Sequence, residues 1–278
     1  MKGNKKILVI GILSLAAVLF AAVNLIRYYG GWSSQNKISE DLYAIRGNIA
    51  FSEGEAKGTE QIPLRKKSVE ADAGAGKTLE ELQTLYPDVE FFTSGQLSDL
   101  DDEMRQINDN YCFFLTIPGT KIDYPVVQLD NAFYLDHDFY GKKNARGTVF
   151  LDAGCSSEDE NLLLHGHHMK DGTMFAALAG FTKEDFRGKH KIAVVYRKDR
   201  MELYTFFAAA TVDLTKEDSF LYEKLPKSDV ERMDYLAALK ENAFWYEEPG
   251  KDPEGMLVLS TCSYGSDDER LVVYAVRN

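Results

Sequence analysis

The chain has 278 residues, 45% of them hydrophobic, which is ample for one sizeable core and, if nothing is spent on a tail, for two domains. Residues 1–27 carry four basic and no acidic side chains, so the remainder holds 28 basic against 44 acidic groups, a net charge of −16. A surface of that sign repels phosphate backbones, which argues against nucleic acid as a partner and is most simply a solubility feature.

The first element is apolar. Ile7 to Ile26 is a run of 20 residues interrupted only by Gly11, Ser14 and Asn24, and a helix of that length spans about 30 Å, the thickness of a bilayer core. Lys2, Lys5 and Lys6 precede it and only Arg27 follows closely, so the positive-inside bias keeps the N-terminus in the cytoplasm and the rest outside. A cleaved signal peptide is the competing reading, with Ala21, Ala22 and Val23 as a loose cleavage site, but the apolar run exceeds the roughly 7 to 15 residues usual for that role. The expectation is a cytoplasmic tail at 1–6, a single-pass signal anchor at 7–26 in the cell membrane, an extracellular stalk at 27–77, and an extracellular globular domain at 78–278.

Ile38, Leu42 and Ile45 recur at helical spacing; beyond them, residues 47–77 are rich in Gly, Ala, Ser and charge, the composition of a flexible stalk. Thr78–Tyr86 and Gln96–Asn108 carry narrow apolar stripes and are predicted as helices. From about Tyr111, β-branched and aromatic runs predict eight strands: Tyr111–Ile117, Tyr124–Leu129, Gly147–Asp152, Leu162–His165, Lys191–Arg197, Glu202–Leu214, Met256–Cys262 and Arg270–Arg277. Their turn signals favour an antiparallel closed or nearly closed barrel over a parallel sheet. Between Leu214 and Met256, Ser228 with Glu231 three residues on forms a capping-box pattern that opens a helix over Ser228–Ala243. The fold class is therefore mainly β, with peripheral N-terminal helices and a helical insertion.

Three cysteines, Cys112, Cys155 and Cys262, are too few for a disulfide framework, and their odd number leaves at least one thiol over. Cys112 and Cys155 either bridge or act as small buried apolar residues. Cys262 ends the run Met256–Cys262, and Arg270 opens the next one after a polar loop. Paired as a hairpin, these strands leave both residues at one rim, where a guanidinium lowers a thiol pKa or holds an oxyanion.

Three of the five histidines, His165, His167 and His168, fall within four residues at the end of the apolar run Leu162–Leu164. Gly166 permits an unusual backbone angle or a close approach just before His167. A cysteine–histidine pair is chemically coherent, since the thiolate is the nucleophile and the imidazole both accepts its proton and protonates the leaving amine. A zinc shell built from His165, His167 and Cys262 is the alternative, although no second cysteine or acidic ligand lies at a recognisable spacing.

The segments Ile117–Gln128 (IPGTKIDYPVVQ), His137–Gly141 (HDFYG), Gly166–Gly172 (GHHMKDG) and Leu259–Cys262 (LSTC) resemble, in order, class B sortases of Gram-positive bacteria, over residues 105–278. The resemblance implies an eight-stranded sortase-type β-barrel. It also implies a cysteine transpeptidase that cleaves a C-terminal sorting signal of secreted proteins after a threonine and passes the thioacyl group to an amine of a peptidoglycan precursor. By that resemblance Cys262 is the nucleophile, His167 its partner and Arg270 the cation, while Asn131, Leu135 and Ser260 line the substrate groove. No cofactor is implied, and the acidic stretches Ser157–Glu160 and Asp267–Glu269 read as solvated loops rather than a calcium site.

Three positions depart from the family pattern: Val258 for a threonine, Phe113 for a tryptophan, and His165 for a tyrosine two residues before the expected catalytic histidine. His165 borders the expected groove and bears on substrate preference. A histidine-cluster metal-binding or metallohydrolase ectodomain and an inactive binding module on the same barrel remain the alternative functions.

Overall fold

A computed structural model describes residues 18–22, 37–38, 40–50, 62–64, 79–216, 219, 228–250, 255–262 and 268–278, with only the backbone of Asp229 and Cys262. Contacts divide the chain into residues 1–42 and 43–278. In the first, residues 18–22, 37–38 and 40–42 are helical. Among the described residues no helix is long and apolar enough to cross a membrane; the span expected at 7–26 lies outside them except for 18–22.

Among the described residues the second unit has nine strands: β1 (Tyr111–Thr116), β2 (Asp123–Val127), β3 (Phe150–Leu151), β4 (Leu162–His165), β5 (Ile192–Tyr196), β6 (Met201–Asp213), β7 (Trp245–Tyr246), β8 (Met256–Cys262) and β9 (Glu269–Arg277). They run in the order β5-β1-β2-β3-β4-β8-β9-β6, and β5 pairs with β6 to close an eight-stranded barrel, leaving β7 outside on β6. The expected eight strands close as predicted. The two-residue β7 escaped notice because so short a run carries no periodicity.

The barrel is not wholly antiparallel: β2–β3 and β4–β8 are parallel pairs. The second pairing positions the site, because it sends the ends of β4 and β8 to one rim. Burial along β6 is almost unbroken rather than alternating, the mark of a strand covered on both faces. Inside lie Phe113, Leu115, Val195, Tyr204, Leu257, Leu259 and Val273, all fully buried.

Helices α1 (43–50), α2 (Leu79–Leu85), α3 (Ser94–Ile107), α4 (Glu184–Lys189) and α5 (Asp229–Asn242) surround the barrel. The apolar stripe of α3, Leu97, Leu100 and Met104, is buried, and the helix opens with a capping box between Thr93 and Gln96. Ser228 caps α5 by accepting from the Glu231 amide at 3.3 Å. Residues 43–50 and 62–64, which fall within the 27–77 segment expected as a stalk, touch the barrel. Arg46 of α1 pairs with Glu90 at 2.7 Å and lies over the rings of Phe92, Phe114 and Tyr196, while Pro63 accepts from the Met201 amide.

Candidate active site

The parallel pairing of β4 and β8 sets Leu164 beside Leu259 and His165 beside Ser260. The Gly166 amide then donates to the Ser260 carbonyl at 3.1 Å, extending the ladder by one residue before the chain turns away. A Cβ on Gly166 would come within 2.8 Å of the buried Phe175 ring, so glycine alone fits this close approach. The loop beginning at His167 is closed by the Phe175 amide, which donates to the His167 carbonyl at 2.9 Å. Asp171 braces it, accepting from the Thr173 amide and hydroxyl and pairing with the buried Arg146.

On the neighbouring strands Cys262 is the direct register partner of Arg270, with Val212 of β6 on the other side of Arg270. The expected hairpin is present as a ladder, while its connecting residues 263–267 lie outside the described ones. Arg270 is half-buried and donates from Nη1 to the Glu269 carbonyl at 3.0 Å.

A pocket of about 220 Å³ opens at this rim, and its lining includes Asn131, Leu135, His165, His167, Ser260 and Arg270. Five of the six residues nominated from sequence therefore meet at one depression, and the sixth, Cys262, is placed through its backbone opposite Arg270. The hydroxyls of Ser260 and Thr261 are buried without a hydrogen-bond partner among the described residues and also border this pocket.

His167 is oriented by Leu135. Its Nε2 lies 2.7 Å from the Leu135 carbonyl oxygen, and since a carbonyl only accepts, Nε2 carries the proton. Leu135 ends a 3₁₀ turn (Phe133–Leu135) opened by Asp130, whose Oδ1 accepts from the Ala132 and Phe133 amides and whose carboxyl those bonds hold below its ordinary pKa. Gly147 seals the turn at φ +60°, where a Cβ would collide with the carbonyls of Tyr134 and Leu135.

Sequence reasoning missed Asp152. Its Oδ2 accepts from His165 Nε2 at 3.0 Å and from Asn131 Nδ2 at 2.8 Å, and its Oδ1 from the Gly154 amide at 2.8 Å. The hydrogen bond from His165 is the main influence keeping this carboxyl below its ordinary pKa. A carboxylate closing the apolar run Gly147–Asp152 was the available signal.

His165 and His167 thus answer to different partners, Asp152 and Leu135. Among the described residues no three His, Cys, Asp or Glu side chains are grouped to hold a metal ion. No disulfide joins Cys112 to Cys155. Burial pushes the Cys112 thiol up to about 11, which suppresses its thiolate.

The family model described as the Sortase domain matches residues 115–278. The chain is 30% identical to sortase B of Listeria monocytogenes over 184 residues, covering 64% of this chain and 72% of that protein. A mutant form of Clostridium perfringens sortase B superposes with a TM-score of 0.61 at 27% identity, over 66% of this chain and 89% of that one. A Streptococcus pyogenes class B sortase involved in pilus biogenesis gives a TM-score of 0.57 at 30% identity, over 64% and 97% of the two chains.

Proposed function

Since this chain belongs to the sortase family and is a cysteine transpeptidase of the class B type, we propose that Cys262 is its nucleophile, His167 its proton-transfer partner and Arg270 the cation beside the oxyanion. The observation that carries this reading is the register pairing of Cys262 with Arg270 at the rim where Arg270 and His167 share a pocket. Opposed residues of an antiparallel ladder have Cβ atoms about 5 Å apart, within reach of a guanidinium acting on a thiolate or an oxyanion.

In this scheme the thiolate attacks the carbonyl of a threonine in the sorting signal, and Arg270 stabilises the oxyanion. The C–N bond breaks, the leaving amine takes a proton from the imidazolium of His167, and a thioester remains. An acceptor amine attacks the thioester, its proton passes to the imidazole, and the C–S bond breaks as the new amide forms. With Nε2 engaged by Leu135, Nδ1 is the nitrogen for proton transfer. Asn131, Leu135 and Ser260 line the groove for the peptide. The protein partners are secreted proteins with a C-terminal sorting motif, and the acceptor is an amine of a peptidoglycan precursor or another surface amine. The run 7–26 anchors the enzyme in the cell membrane with its N-terminus cytoplasmic and residues 78–278 outside as the catalytic domain.

Mass spectrometry of the full chain incubated with a mixed sorting-signal peptide library tests the scheme. A thioacyl adduct on Cys262, lost in Cys262→Ala and insensitive to chelators, is expected. Activity abolished by a chelator and restored by zinc would sink it.

A further inference from the structure

Asp152 stands just beyond β3, outside the three residues proposed for catalysis, yet it organises one wall of the same pocket. Its backbone is fixed: the amide donates to the Leu163 carbonyl at 2.9 Å, and its own carbonyl accepts from Gln128 Nε2 at 2.9 Å. Its carboxylate gathers three donors, from His165, Asn131 and Gly154. The His165 ring is held a second time, tilted against the Phe150 ring with centroids 5.0 Å apart.

The consequence falls on Asn131. Its Oδ1 accepts from the Ala153 amide at 2.7 Å, and its Nδ2 donates to Asp152. Neither bond survives a flip of the amide, because a backbone N–H only donates and a carboxylate only accepts. Asn131 is exposed in the pocket, and one carboxamide hydrogen remains beyond the bond to Asp152, so the residue offers a donor of fixed orientation. A peptide lying in the pocket presents carbonyl oxygens, the acceptors such a donor fits.

We propose that Asp152 is a positioning residue for peptide recognition: it locks the Asn131 carboxamide, with His165 as a brace, so that Asn131 donates to a carbonyl oxygen of the bound peptide. This rests on the groove assigned above but not on any step of the chemistry. Asp152 acts through Asn131, so its loss weakens binding only while Asn131 is present.

The test uses the full chain carrying Cys262→Ala and fluorescence anisotropy with the tightest-binding fluorescein-labelled peptide of a threonine-containing library. Asp152→Ala and Asn131→Ala are each expected to raise Kd roughly 5- to 10-fold, the worth of one hydrogen bond. The double variant should bind no more weakly than either single one, a coupling that a general loss of structure would not produce. If Asp152→Ala fails to fold, Asp152→Asn, which keeps the volume but turns a donor toward one of its donor partners, carries the same expectation. Additive losses, Kd within about twofold of the parent, or no saturable binding by any peptide would overturn the proposal. Intact coupling without an acyl-enzyme in the unmutated chain would instead sink the catalytic reading alone.

Discussion

The carbonyl oxygen of Leu135 lies 2.7 Å from Nε2 of His167, joining a 3₁₀ turn to the end of β4. That bond fixes one imidazole nitrogen as a donor and leaves the other for the proton transfer proposed for His167. His167→Ala and His167→Gln should both lower kcat for peptide cleavage by about 10²- to 10⁴-fold. The glutamine retains an amide donor for Leu135, so its Tm should fall less than that of the alanine variant. Equal activity in His167→Gln and the parent chain would remove His167 from the chemistry.

Gly147 is the hidden support of that bond. At φ +60° with two carbonyls in the space of a Cβ, Gly147→Ala should cost about 2–3 kcal/mol by denaturant unfolding. It should also lower kcat by about 10- to 100-fold, since the Leu135 carbonyl must move. A variant matching the parent in both measurements would show that the turn yields without disturbing the imidazole.

Arg146 is buried and Asp171 only partly so, and their pair anchors the loop that starts at His167. Burial pushes the Asp171 carboxyl up, but the bonds from Thr173 and the charge of Arg146 outweigh it and hold the pKa below the ordinary 3.8. A depressed folded-state pKa gives stability that is complete above the unfolded value and lost as pH falls through the folded one. Arg146→Met should therefore cost about 3 kcal/mol at neutral pH, and the gap to the parent chain should narrow below the ordinary aspartate value. A gap that widens in acid would contradict the assignment.

Arg46 ties α1 to the barrel through Glu90, Asp123 and three aromatic rings. Burial raises the Asp123 carboxyl pKa, and Arg46 opposes that rise. Without the guanidinium the pKa climbs further, so Arg46→Met should destabilise by about 2–4 kcal/mol at neutral pH and by less in acid, where Asp123 is neutral. Hydrogen exchange should show residues 43–50 losing protection before the strands do; unchanged protection there would refute the tie.

Much of the barrel was legible because its strands are long and apolar, and the helix after Ser228 announced itself through its cap. The parallel runs β2–β3 and β4–β8 were not, since pairing direction leaves no mark on a strand's own residues. Asn131, Leu135 and Ser260 were nominated only through the resemblance to class B sortases, while His167 and Arg270 could be read from local segments, because strand ends and loops display polar groups against an apolar background. Asp152 and Gly147 escaped for the opposite reason. Asp152 closes a visible apolar run but matters through partners remote in sequence, and Gly147 matters through a missing side chain, so neither role could be read before the chain folds.

The parallel contact between β4 and β8 has a practical meaning for how this architecture varies. The histidine-bearing and cysteine-bearing ends are fastened directly to each other, so the long excursion between them, including β5, β6, β7 and α5, is not the ruler that sets their separation. Lengthening or trimming the segment around α5 is thus free to reshape what the enzyme meets at its surface, while the spacing of these two strand ends stays where their pairing puts it.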